Sequence, residues 1–196
     1  MIIEERDGSL IAKGIPCLSL PLTLDCGEAF RWEEQADGSW SGAAYGKFLN
    51  IKEENGDFIF KNTSKEDFEA VWRNYFDLDR DYAAICENLK KDALVRETID
   101  EYYGIRILNQ EPWEALVSFI ISQQNNIKRI KGIIKRLCDT YGEEIRPGWH
   151  AFPSCSTLSA LSVGELEAIG LGYRAKYVKK LADDVACGAI DLATIK

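Results

Sequence analysis

The sequence predicts an α+β protein: a small antiparallel β-sheet domain with helices over residues 1–108, followed by an α-helical bundle domain over 109–196. Between Ser9 and Asn62, short runs rich in β-branched and aromatic residues are separated by Asp37-Gly38, Gly46 and Asn55-Gly56, residue types that tolerate positive φ and so build hairpin turns. Beyond Thr63 the apolar period lengthens to that of a helix. A hydrophobic content of 46% over 196 residues is ample for a core.

The runs AFRWEEQ, SWSGAAY, KFLNIKEE and DFIFKN are read as strands of one meander. Thr63-Ser64-Lys65-Glu66 has the form of a capping box, and Phe68, Val71, Trp72, Tyr75 and Phe76 follow at the spacing of one buried helix face. Two shorter amphipathic helices are expected over Asp81–Lys90 and Asp92–Tyr103, ending at Gly104. Pro112 suits the first position of a central helix reaching Ser122, apolar almost all round. A helix over Asn126–Tyr141 puts Ile127, Ile130, Ile133, Ile134, Leu137 and Tyr141 inward. Ser162-Val163-Gly164-Glu165 offers another capping box, Gly170 a stop, and Arg174–Ala186 a last helix with Tyr177, Val178, Leu181 and Val185 inward. The final CGAIDLATIK has no cap, breaker or charged tail, so the chain is expected to continue beyond it.

No run of 18 uncharged apolar residues exists and MIIEERDGSL is acidic at once, which excludes a helical membrane span and a secretory signal from the expectation. The expected location is the cytoplasm, or the nucleus of a eukaryote. Six scattered cysteines without a C-x-x-C pair, and one histidine, do not suggest a metal site, and the thiols are expected reduced and mostly buried. No cofactor is expected. The net charge is -8, with 13 Lys and Arg against 23 Asp and Glu over residues 1–111, but 11 against 9 over 112–196. Basic residues cluster at Lys128, Arg129, Lys131, Lys135, Arg136 and again at Arg174, Lys176, Lys179, Lys180, as two basic helix faces on an acidic protein.

Three stretches carry the chemistry: LDCGEAFRW (24–32), FIISQQNNIKRI (119–130) and GLGYRAKYV (170–178). Each alone has a plainer reading, as a glycine turn, a solvated interhelical loop and an ordinary helix start. The four amides Gln123, Gln124, Asn125 and Asn126 are the least expected feature. Amides neither activate nucleophiles nor bind transition metals well, but they read hydrogen-bonding edges such as those of bases.

Together and in this order, the three stretches resemble the 8-oxoguanine DNA glycosylases of the helix-hairpin-helix superfamily. That family has a G-Q-x-F-R-W strand, an S-x-N-N-N-I-x-R-I helix junction and an L-G-Y-R-A-x-Y helix start. The resemblance runs from about Leu22 to the last residue and implies a helix-hairpin-helix glycosylase fold that stops before the hairpin. It implies base-excision repair of 8-oxoguanine opposite cytosine by N-glycosylase and AP lyase chemistry, with double-stranded DNA as partner, no membrane, and a monomer.

By resemblance, the carbonyl of Gly27 reads the N7–H of the oxidised base. Gln124 enters the space left by the extruded nucleotide, flanked by Asn125 and Asn126; Tyr173 wedges beside the orphaned cytosine, and Arg129 and Arg174 donate to its acceptors. Both arginines are therefore expected exposed on one surface with Gln124. Two departures stand out: Gln123-Gln124 where eukaryotic members have Ser and Asn, and Glu28 beside the key glycine, which is expected to turn into the protein or pair with a basic residue. The family's hairpin lysine nucleophile and later aspartate have no counterpart here, Lys196 is not assigned that role, and no catalytic residue is expected within the chain. The alternatives are an alkylbase glycosylase of the same superfamily and a non-catalytic DNA-binding or scaffold protein.

Overall fold

The computed structural model describes residues 1–194. The chain forms two compact units, one of Met1–Gly42 with Phe48–Asn109 and one of Ala43–Lys47 with Gln110–Lys196. The sequence reading divides the chain one residue earlier and keeps 43–47 in the first domain.

The first unit is built on an antiparallel sheet of β1 (Ile2–Arg6), β2 (Ser9–Lys13), β3 (Trp32–Glu34), β4 (Trp40–Ala44), β5 (Lys47–Glu54) and β6 (Asp57–Lys61), in the order β1-β2-β6-β5-β4-β3. The meander is as expected from β3 to β6. Strand β1 lies outside the expected span; it is largely exposed and therefore lacks an inward alternation, although Asp7-Gly8, at φ 50° and 70°, is a hairpin signal. Alternation places Leu10 and Ala12 of β2, Leu49 and Ile51 of β5, and Phe58 and Phe60 of β6 in the core. A one-turn helix α1 (Leu20–Leu24) lies between β2 and β3.

The helix after the sheet begins one residue later than expected. Ser64, not Thr63, is its N-cap, accepting from the N–H of Asp67 at 3.0 Å. Thr63 instead accepts from the indole of Trp72 at 3.1 Å. The helix comprises α2 (Lys65–Asp67), a π-helical turn (Phe68–Trp72) and α3 (Arg73–Tyr75). Its buried Phe68, Trp72, Tyr75 and Phe76 meet Trp32 and Phe60 in an aromatic cluster, with Phe60 and Phe68 edge to face at 5.0 Å and Trp32 donating to the Tyr75 hydroxyl at 2.8 Å. Helices α4 (Tyr82–Leu89) and α5 (Arg96–Glu101) complete the unit.

Arg106 is 0% exposed. Its guanidinium donates to the carbonyls of Pro16 (2.7 Å), Cys17 (2.9 Å) and Asp77 (2.6 Å) and stacks on the Tyr82 ring at 4.4 Å, which ties three separate chain segments together. Burial lowers its pKa, and the carbonyl ring compensates for lost hydration.

The second unit contains α6 (Pro112–Ser122), α7 (Ile127–Tyr141), a two-stranded sheet β7 (Glu144–Arg146) and β8 (Trp149–His150), α8 (Cys155–Ala160), α9 (Val163–Ala168), a 3₁₀ turn Gly172–Arg174, α10 (Ala175–Ala186) and a second 3₁₀ turn Leu192–Thr194. The Ser162 and Glu165 capping box is present in full. Three burial expectations fail. Phe119 on α6 is 65% exposed, and Ile127 and Tyr177, read as inward, are also exposed. Each lies at or beside the ends of α6, α7 and α10, where periodicity does not say how far a buried stripe extends. Only Cys17 and Cys138 of the six thiols are buried, with Cys26 and Cys187 exposed in loops.

Gly42 has no room for a side chain, since a Cβ there would sit 2.3 Å from the Trp32 ring. Gly42→Ala should lower unfolding stability by about 1–3 kcal/mol, the usual cost of overpacking a tight core. Urea unfolding measures it, and an unchanged midpoint would mean the ring moves freely.

Candidate nucleic-acid interface

The amide run joins α6 to α7. Gln123 ends α6 at φ -59° and ψ 122°, and Gln124 follows at φ 47°, which gives a tight turn with its second central residue in the left-handed region. Glycine or asparagine is the usual occupant there, and a glutamine is held at a cost of about 1–2 kcal/mol. The turn must therefore be fixed from outside.

Arg174 fixes it. Its Nε donates to the Gln123 carbonyl at 3.0 Å, and its terminal nitrogen donates to the carbonyls of Gln123 and Gln124, the latter at 3.0 Å. Tyr173 adds its hydroxyl to the Gln123 carbonyl at 3.3 Å, and the Arg174 guanidinium lies over the Tyr173 ring at 4.5 Å. Arg174 is consequently 3% exposed. The expectation that both arginines stand exposed beside Gln124 is met by Arg129 and not by Arg174, because two carbonyls released by the end of α6 need donors and a guanidinium fork supplies them. Tyr173 remains 52% exposed.

The two asparagines are engaged in the backbone. Asn125 donates to the carbonyl of Ile121 at 3.0 Å and accepts from the N–H of Asn126 at 3.0 Å, while Asn126 is the N-cap of α7 and accepts from the N–H of Arg129 at 3.0 Å. Gln124 and Arg129 differ: both are exposed, and neither side chain has a hydrogen-bond or ion-pair partner among the described residues. Lys128 is in the same condition.

The rest of the basic clusters is largely occupied. Lys135 pairs with Asp139 at 2.9 Å, Lys179 with Asp183, and Lys180 with Asp184 at 2.8 Å. Arg136 donates to the Ile169 carbonyl at 2.8 Å and so anchors the loop that carries Tyr173 and Arg174. The second expected basic face is thus partly neutralised, since Lys179 and Lys180 each have an aspartate four residues on, while Lys176 lies over the Tyr177 ring at 4.9 Å. Lys128 and Arg129, without hydrogen-bond or ion-pair partners among the described residues, lie in the N-terminal turn of α7, where the helix dipole is also positive.

Sequence reasoning did not find the hollow beside this turn, about 430 Å³, whose walls include Ile120, Tyr173, Tyr177 and Leu181. Isolated apolar positions on helices read as core. Among the described residues no group of three His, Cys, Asp or Glu is placed to hold a metal.

Gly27 belongs to the first unit. It is not in a strand, as the motif led us to expect, but in the bends between α1 and β3, half-buried at φ 89°, a conformation natural to glycine. Glu28 turns inward and accepts from the N–H of Leu108 at 3.0 Å; burial pushes its carboxyl up, and that hydrogen bond partly offsets the shift.

Residues 11–116 match the family model for the 8-oxoguanine DNA glycosylase N-terminal domain, and 117–194 that for the HhH-GPD superfamily base excision DNA repair protein. The chain belongs to the 8-oxoguanine DNA glycosylase family. It is 31% identical over 174 residues to the Arabidopsis thaliana N-glycosylase/DNA lyase OGG1, covering 82% of this chain and 47% of that protein. A solved structure of MBOgg1 with a low-affinity DNA ligand is 40% identical at a TM-score of 0.95, covering 98% of this chain and 68% of its own. The Clostridium acetobutylicum 8-oxoguanine glycosylase/lyase, with double-stranded DNA containing cytosine opposite 8-oxoG, is 35% identical at a TM-score of 0.95, covering 98% and 68%. The chain spans about half the length of the curated relatives it matches.

Within this glycosylase-family chain, Arg174→Ala should cost about 1–3 kcal/mol by removing the donor to the Gln124 carbonyl and leaving the Gln123 carbonyl only the Tyr173 hydroxyl. Gln124→Gly should be neutral or stabilising by up to about 1 kcal/mol, since glycine suits positive φ. Thermal unfolding of the two variants separates them, and equal losses would contradict the bracing role of Arg174.

Proposed function

We propose that this chain recognises double-stranded DNA carrying 8-oxoguanine opposite cytosine, as part of a base-excision enzyme with N-glycosylase and AP lyase activity. The observation that carries the reading is the exposed pair Gln124 and Arg129, both without partners among the described residues, at a helix start braced from behind by a buried arginine. A base extruded from a duplex leaves a space and an unpaired partner. Gln124 fills the space, and the Arg129 guanidinium donates to the O2 and N3 acceptors of the orphaned cytosine. Tyr173 wedges beside it. Arg174 holds the turn and contacts the cytosine only by giving up a turn carbonyl. Asn125 and Asn126 shape the junction and keep their remaining amide hydrogens for the DNA backbone. The Gly27 carbonyl meets the N7–H of the oxidised base, where unmodified guanine would present a lone pair.

The family match at residues 11–116 supports this reading over an alkylbase glycosylase or a scaffold protein. No nucleophile is assigned within the chain, so borohydride should trap no Schiff base between it and 8-oxoguanine duplex; a trapped adduct would overturn that assignment.

Arg129→Ala should reduce the preference for cytosine opposite the lesion by about 1–3 kcal/mol. Lys128→Ala, a phosphate contact in this account, should weaken binding to all four opposing bases alike and lower the salt dependence by roughly one unit of slope. Competition binding on the four duplexes decides. An Arg129 variant that loses affinity equally for all four would make the residue a phosphate anchor and remove the cytosine reading.

A further inference from the structure

In the first unit the sulfurs of Cys17 and Cys86, 69 positions apart in sequence, lie 3.4 Å from each other. Neither thiol belongs to the interface described above. Cys17 is buried and its backbone is tied down: it sits at φ 56°, and Arg106 holds its carbonyl at 2.9 Å and that of Pro16 at 2.7 Å. Cys86 is half-buried on α4, a helix whose only fully buried residue is Tyr82. One sulfur is therefore fixed, and the other is on an element that can shift and that solvent reaches.

The neighbourhood is built from Tyr103, Lys90, Glu87 and Asp100. Lys90 lies over the Tyr103 ring at 5.6 Å and pairs with Asp100 at 2.7 Å and with Glu87 at 3.6 Å. The Cys17 thiol, and then burial, push the Tyr103 hydroxyl up, and burial followed by Cys17 pushes the Cys86 thiol up. Burial thus favours the thiol form of Cys86, and its oxidation is slow.

We propose that Cys17 and Cys86 are a dithiol modification site that closes to an intramolecular disulfide under peroxide. A bond of about 2.05 Å requires the sulfurs to approach by rotation about the side-chain bonds and a small movement of α4. The Cys86 thiolate attacks one peroxide oxygen and the O–O bond breaks, leaving a sulfenic acid on Cys86 and hydroxide, which takes up the thiol proton as water. The Cys17 sulfur then attacks the Cys86 sulfur, the S–O bond breaks, and a second water leaves. The two thiols lose two electrons in all, which reduce hydrogen peroxide to water. The product ties α4 to the segment that Arg106 already holds.

The test uses the full chain with hydrogen peroxide, followed by alkylation, non-reducing tryptic digestion and mass spectrometry. The expected product is peptide 14–31 joined to peptide 81–90, with the intact chain lighter by two hydrogens and two fewer alkylatable thiols. Peptide 14–31 also contains Cys26, so the link must persist in Cys26→Ser and vanish in Cys86→Ser, a half-exposed position that tolerates the change. Closing so long a loop should raise the thermal midpoint by roughly 5 °C or more, reversibly with reductant. A link through Cys26, oxygen added to Cys86 with Cys17 still alkylatable, or no reaction would each overturn the proposal.

Discussion

The guanidinium of Arg174 binds two carbonyls at the end of α6, and the exposed face that follows depends on it. Those bonds, together with the one from the Tyr173 hydroxyl to the Gln123 carbonyl, hold a glutamine at φ 47°. With them, the chain reverses between α6 and α7 in two residues, Asn126 reaches the cap position of α7, and Gln124 and Arg129 remain outside with unused hydrogen-bonding groups. The arrangement is one of preorganisation: strain at one residue is borne by a buried charge behind it, and the exposed groups in front are held in place. Arg136 extends the same logic by fixing the loop from which Arg174 projects.

A second buried arginine has the corresponding task in the first unit. Arg106 gathers carbonyls from residues 16, 17 and 77 where no strand or helix could pair them, and lets irregular chain pack against the aromatic cluster. Both arginines act through backbone acceptors rather than carboxylates, which avoids the desolvation of a second charge. It is also why neither role is visible in a list of ion pairs.

The sequence made much of this legible, for identifiable reasons. Alternation and glycine turns located β3 to β6, and the 3.6-residue period located α6, α7 and α10 almost to the residue. Strand β1 escaped because an exposed edge strand has no inward alternation. The pair β7 and β8 escaped because it is too short for any period, with only Pro147-Gly148 to mark its turn. At the candidate site, residue types pointed to this exposed turn but not to the division of labour within it. Arg129 and Arg174 look alike in a motif; one is free and the other is consumed by the turn, a difference that depends on carbonyl positions no side-chain pattern encodes. Phe119 and Tyr177 misled in the opposite sense, since an apolar residue on a periodic face is read as core whether or not anything covers it.

The bracing of the amide turn by Arg174 can be examined without DNA. Hydrogen exchange of the free chain would compare the amides of Asn126 and Arg129, whose acceptors are the side chains of Asn125 and Asn126, before and after Arg174→Ala. The account predicts that these two amides exchange faster by roughly tenfold or more while the buried turns of α10 keep their protection. Unchanged protection at both amides would show that the turn stands without Arg174, and the account of this interface would be wrong at its base.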